Sequence, residues 1–204
     1  MRARILRTTD YRRMRWNNGG GWTTELAVSP ESAAEAGTGF DWRISIADIE
    51  SDGAFSTFAN CERYIALLDG IGIELRFDAA PSVRLDRRLQ FFRFAGEWQT
   101  HGALLSGPVR DFNVIVRRDA IGADVWHRPL VGPMVFLTAA DTTWFVYVVA
   151  GNASIKNREG SPALGAGDSL LLEAEASPDN IVLVGNGHVL IVKLTRLPAT
   201  AQDV

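Results

Sequence analysis

Cysteine is nearly absent from this chain: Cys61 is the single one among 204 residues, so no internal disulfide can form. That agrees with a reducing compartment. No histidine lies near Cys61 in sequence, which argues for a buried structural thiol rather than a nucleophile. Long apolar runs are missing too. The stretch Phe145 to Ala150 falls far short of the roughly 20 residues a membrane-spanning helix needs, and Met1-Arg2-Ala3-Arg4 leads into no signal-peptide core. A cytoplasmic location is the expectation. Lysine is scarce, with Lys156 and Lys193 against 19 arginines, and the net charge is −3 with no basic stripe. Neither nucleic acid nor a membrane is therefore an expected partner. An anion held by this protein would be held by arginine, whose planar fork matches a carboxylate.

Catalytic signatures are missing as well. There is no Gly-x-Ser-x-Gly elbow, no dinucleotide fingerprint, and no lysine after the glycine run that could make it a P-loop. His101, His127 and His188 are scattered, with no cysteine or carboxylate cluster beside them, so no metal, no cofactor and no histidine dyad are expected.

Helical periodicity is almost lacking, and what replaces it is a succession of short β-branched and aromatic runs separated by Gly, Pro, Asp or Asn. The chain reads as all-β. Candidate strands are Trp22–Val28, Trp42–Ile49, Arg63–Leu68, Ile71–Phe77, Leu89–Phe94, Phe112–Arg117, Trp144–Val149, Ser169–Leu172, Ile181–Val184 and Val189–Leu194. Tyr64-Ile65-Ala66-Leu67-Leu68-Asp69-Gly70 echoes Phe145-Val146-Tyr147-Val148-Val149-Ala150-Gly151, each glycine read as a tight turn into a return strand. With the turn and strand Leu164 to Leu172, this favours two tandem cupin-like β-barrels, a bicupin, over one larger β-sandwich. The expected division is residues 1–119 and 120–204, with strands exchanged between halves as an option.

Asn17-Asn18-Gly19-Gly20-Gly21 is the most telling segment. Three glycines pack nothing and suit either a tight loop or a backbone whose N–H groups converge on an anion. Alternation places Arg43, Ser45 and Ala47 opposite Trp42, Ile44 and Ile46, Thr23 and Glu25 opposite Trp22 and Leu26, and Asp111 and Asn113 opposite Phe112 and Val114. Such polar faces are either solvated or line a pocket. Arg63 opens a strand whose following residues, Tyr64 to Leu68, are apolar on both faces, so it needs a partner: Asp52, Glu62, Asp111 or a ligand carboxylate.

These segments together resemble the HutD/Ves family of bacterial proteins. Its opening Trp-Lys-Asn-Gly-Gly-Gly motif reads here Trp16-Asn17-Asn18-Gly19-Gly20-Gly21, followed by Thr23 and Glu25. Its second, Asp-Trp-Arg-x-Ser-x-Ala with a later Asp-Gly-Pro-Phe-Ser, reads Asp41 to Ala47 and Asp52-Gly53-Ala54-Phe55-Ser56. Glu62-Arg63, Phe94-Ala95-Gly96-Glu97, Gly107-Pro108-Val109-Arg110-Asp111-Phe112-Asn113 and Arg117-Arg118 continue the series in order. Asn17 stands where the family usually has lysine, Ala54 and Ala59 where it has proline, Glu62 where it has Asp, and Ile115 where methionine is common.

The resemblance implies a metal-free bicupin tied to histidine utilisation that binds N-formylglutamate or a related intermediate and restrains the pathway; the Ves branch is linked to stress. In this reading the Gly19, Gly20 and Gly21 backbone, Arg43 and Arg63 receive a small anionic metabolite, and Thr23, Ser45 and Asn113 orient its amide or formyl group. Trp42 and Phe55 wall the cavity, and Asn18, Glu25, Asp52 and Asp111 complete the ligand-binding set. A homodimer is compatible with the sequence. The rival readings are a metal-free isomerase or hydrolase with Glu25, Asp52 or Asp111 as acid or base, and an interaction module touching a transcription factor or pathway enzyme.

Overall fold

Strand β-branching and period-two alternation decide the architecture. The structure, a computed structural model, describes residues 2–33, 39–137, 139–156, 162–174 and 180–198. The strands in chain order are β1 (Arg2–Leu6), β2 (Arg12–Arg15), β3 (Gly21–Ser29), β4 (Trp42–Ile49), β5 (Gly53–Ala54), β6 (Cys61–Asp69), β7 (Ile73–Phe77), β8 (Val83–Leu85) and β9 (Phe91–Ala95). There follow β10 (Thr100–Leu104), β11 (Val109–Arg117), β12 (Ile121–Val131), β13 (Met134–Phe136), β14 (Thr142–Ile155), β15 (Leu164–Gly165), β16 (Ser169–Glu173) and β17 (Ile181–Arg196). The chain is an all-β bicupin, its sheets forming cupin-like jelly rolls rather than barrels closed by hydrogen bonds.

One unit comprises residues 11–121. Its six-stranded sheet runs β2-β3-β4-β11-β6-β9, and its four-stranded sheet runs β5-β10-β7-β8. The sheets meet through Ile65, Leu67 and Phe94 of the first and Ile73, Leu75 and Leu85 of the second, all buried in one apolar cluster. β11 pairs antiparallel with β4 and β6, setting Asn113 opposite both Ser45 and Ile65, and Ile115 opposite Arg43 and Arg63. Register is thus what gathers residues 43, 45, 63, 111 and 113 on one inner face, since a slip of one would turn them all outward.

The other unit comprises residues 2–10 and 122–198. The first ten residues group with the C-terminal part because β1 pairs with β16, Arg2 opposite Glu173 through Leu6 opposite Ser169. Arg7 seals that junction: its Nη1 meets Asp168 Oδ2 at 2.5 Å, while Gly165 N–H donates to the same carboxylate at 2.9 Å. Burial alone would raise the Asp168 pKa, but the Gly165 N–H, Arg7 and the Thr8 N–H outweigh it and hold the group below its ordinary value. A depressed carboxylate contributes stability above its unfolded pKa and loses it as pH falls through the folded one. Asp168→Asn is therefore expected to cost about 1–3 kcal/mol at pH 7, with the deficit shrinking toward acid pH in urea titrations.

Gly151 does not end a strand, contrary to its reading as a hairpin turn. β14 runs through it and pairs with β17 along both their lengths, with a bulge between Val148 and Ala150. Gly151 takes φ +85°, and a Cβ there would lie 2.0 Å from the Asn186 carbonyl oxygen. The glycine serves backbone approach at a bulge, whereas Gly70, at φ +97°, lies between β6 and β7. Gly151→Ala is expected to cost about 2–4 kcal/mol from left-handed strain and overpacking. Gly122→Ala, whose Cβ would meet nothing nearer than 3.7 Å, should change the denaturation midpoint little.

Candidate functional site

The inner face of the six-stranded sheet carries the unusual chemistry. Polar side chains seldom survive deep burial without partners, yet here Glu25, Ser45, Arg63, Asp111 and Asn113 are all buried on this face. Ser45, Arg63 and Asn113 of this set border a cavity of about 540 Å³ lined also by Trp16, Asn17, Asn18, Thr23, Arg43, Phe55, Ser56, Phe58 and Ile115, among others, while Glu25 and Asp111 lie behind its wall. That volume is ample for a small metabolite.

Arg63 is the centre of the site. It is 3% exposed, and its guanidinium sits 4.9 Å from the Phe94 ring centroid, 5.4 Å from Phe55 and 5.5 Å from Phe58. Nη1 donates to the Ser56 carbonyl at 3.1 Å, but Nε has no hydrogen-bond partner. Burial lowers its pKa to about 10, partly offset by Asp111, so it remains a cation at neutral pH. None of the carboxylates weighed for it makes an ion pair with it. Asp52 accepts the Leu104 N–H at 2.8 Å. Glu62 meets Arg93 at 3.1 Å and Arg118 at 3.4 Å.

Asp111 acts on Arg63 through its charge alone. Both of its oxygens, and Oδ1 of Asn113, are buried without a hydrogen-bond partner. Burial raises the Asp111 pKa to about 7, with Asp48 adding to the rise and Arg63 opposing it. Glu25 is matched, because Arg43 Nε meets its Oε2 at 2.7 Å. The face therefore holds one closed ion pair and a set of unused groups: an N–H on Arg63, the Asn113 carbonyl oxygen and the Asp111 carboxyl.

The glycine run is a loop closed on itself. Gly19 N–H donates to the Trp16 carbonyl at 3.0 Å and Gly20 N–H to Asn18 Oδ1 at 3.0 Å. Both amides are thus spent within the loop and do not converge as an anion nest. Gly21 belongs to β3 opposite Ile49, and a Cβ there would lie 2.3 Å from the Asp48 carbonyl oxygen, which is the reason glycine stands at that position. Trp42 lies on the opposite face of β4, buried, and does not wall the cavity; Phe55 does. Trp16, which the sequence offered only as the head of the glycine motif, and Phe58, which it did not single out, also line the cavity. Trp16 Nε1 donates to Thr23 Oγ1 at 2.8 Å, and an aromatic next to a glycine loop was the available signal. Asn17, Ala54 and Ile115, three departures from the family pattern, all line the cavity.

Two groups outside this site correct the sequence reading or bear on it. In the other unit His127 Nε2 lies 2.9 Å from His188 Nδ1, a histidine pair that the 61-residue separation hid. Burial and the neighbouring His188 lower the His127 pKa. Cys61 is buried, and that burial raises its pKa, which leaves a protonated, weakly reactive thiol. Among the described residues, no three His, Cys, Asp or Glu side chains come close enough to hold a metal ion, and no helix is long and apolar enough to cross a membrane.

The HutD family model matches residues 8–191. The chain belongs to the HutD family. A 21.2 kDa protein in the hutC 3′ region of Pseudomonas putida is 49% identical over 113 residues, which are 54% of this chain and 56% of that one. Protein Ves of Cronobacter sakazakii is 33% identical over 183 residues, 89% of this chain and 93% of its own. The solved structure of HutD from Pseudomonas fluorescens SBW25, 33% identical, matches with a TM-score of 0.80 over 97% of this chain and 100% of that one. HutD-family proteins are associated with histidine utilisation, and the matched region includes every residue of the cavity.

Proposed function

We propose that this HutD-family chain binds a small anionic intermediate of histidine breakdown, of the N-formylglutamate type, and so regulates the pathway. The observation that carries this is the buried Arg63, a cation that lines the cavity and whose Nε is buried without a hydrogen-bond partner. A desolvated cation at a cavity wall with no ion pair of its own favours an arriving carboxylate. The unused Asn113 oxygen beside it suits the N–H of an amide or formamide. One carboxylate and one N–H on the same small ligand would satisfy both. Asn17 in place of the family's lysine leaves the second carboxylate to Arg15, which also lines the cavity.

Asp111 supports a second reading as a metal-free acid–base enzyme, since a carboxyl with a pKa of about 7 suits proton transfer. Glu25 and Asp52, the other two candidates, are engaged by Arg43 and the Leu104 N–H. The binding reading ranks first because Asp111 is not among the residues that line the cavity.

The test is the thermal unfolding midpoint with N-formyl-L-glutamate, urocanate, histidine or glutamate. A ligand at 100 times its dissociation constant adds about 2.7 kcal/mol of stability. A selective rise with N-formyl-L-glutamate is expected; conversion of any of the four compounds by the protein would move the account to the enzyme reading.

A further inference from the structure

Arg63 and Asp111 are opposite charges in one apolar interior with no ion pair between them. Asp111 on β11 is flanked by Ala47 of β4 and Leu67 of β6. The charges acting on it are Arg63 from β6 and Asp48 from β4. On the same face Arg43 and Glu25 cancel each other at 2.7 Å. The facing sheet presents apolar Ile73, Leu75 and Leu85; its Glu74 and Arg76 pair with each other at 2.7 Å near the surface, and His101 of β10 is exposed.

Within such an interior one cation tolerates one anion, and a second uncompensated carboxylate is costly. A ligand carboxylate at the Arg63 guanidinium, which lines the cavity, would be that second anion. We propose that Asp111 is the resident counter-charge of Arg63, and that an arriving ligand carboxylate takes over this role while Asp111 takes up one proton from solvent. This rests on the carboxylate-binding reading above. The O–H of Asp111 forms as an O–H or N–H of hydronium or of the protonated buffer breaks, and the ligand keeps its charge. Because the free carboxyl has a pKa of about 7, the exchange falls within the neutral range. Asp111 thereby determines specificity as well: the site favours ligands that deliver a negative charge, and holds them more tightly as pH falls.

Isothermal titration of the wild-type protein with glutarate and with N-formyl-L-glutamate, from pH 6 to pH 8.5 in phosphate and in Tris, tests this. The expected result is uptake of close to one proton per bound ligand at pH 8, seen as a buffer-dependent heat, with affinity weakening up to about tenfold per pH unit above pH 7. Asp111→Asn should bind with no proton uptake and no such slope. Binding by the wild type without proton exchange, or an unchanged slope in Asp111→Asn, overturns the proposal while leaving carboxylate binding intact. If the variant does not fold, the wild-type buffer comparison decides alone. Failure of both probes to bind at any pH overturns the binding reading and this proposal with it.

Discussion

Arg63→Met is expected to abolish carboxylate binding while the protein stays folded. The guanidinium is enclosed by Phe55, Phe58 and Phe94 at 4.9 to 5.5 Å, a set of rings that accepts a thioether readily. Methionine removes a buried cation whose Nε has no partner, and Asp111, which Arg63 holds toward its ionised form, avoids becoming an uncompensated buried charge by keeping its proton. The cost in binding is different in kind. Losing a charge-assisted hydrogen bond in a desolvated site costs about 2–5 kcal/mol, or at least about thirtyfold in affinity. Titration calorimetry beside thermal unfolding separates the two quantities. A variant that binds glutarate as tightly as wild type removes Arg63 from the ligand site; one that fails to fold makes Arg63 a structural counter-ion for Asp111.

The second large effect concerns Asp111 and pH. Its folded pKa, about 7, lies above the ordinary 3.8. A raised carboxyl contributes stability that is fully present below the unfolded pKa and is lost as pH rises through the folded one. The wild type should therefore lose stability between about pH 4 and pH 7 on this account and level off above. Asparagine cannot ionise, so Asp111→Asn should gain on the wild type across that window by a few kcal/mol, since one pKa unit is worth about 1.4 kcal/mol. Urea midpoints at pH 4, 6 and 8 measure it. A difference that does not vary with pH would mean that Asp111 titrates normally.

How far these residues could be read from the sequence depends on the range of the interaction involved. Arg63 was legible because a charge at the head of an apolar strand is locally anomalous, and Asp111, Asn113, Ser45 and Arg43 were legible through alternation, which fixes a face. Which carboxylate meets which arginine was not. Glu25 meets Arg43 across a pairing that contains a bulge between Glu25 and Ala27, a register irregularity with no sequence marker. The glycine run was read as a loop or an anion nest, and the choice turned on Asn18, whose side chain takes the Gly20 N–H. Gly151 looked like Gly70 because both follow apolar strands; only pairing with β17 carries the strand through it, opposite Gly187 and just past a bulge. The return of β1 to β16 and the meeting of His127 with His188 are long-range events that local pattern does not carry.

The most direct test of a carboxylate site at Arg63 is a crystal structure grown with N-formyl-L-glutamate below pH 7. The account places a carboxylate oxygen within hydrogen-bond distance of the Arg63 guanidinium, roughly 2.7–3.2 Å, with the formamide N–H turned toward Asn113 Oδ1. A ligand seated instead in the smaller cavity beside Arg84, Arg87 and Phe91, with no carboxylate at the Arg63 guanidinium, would contradict it.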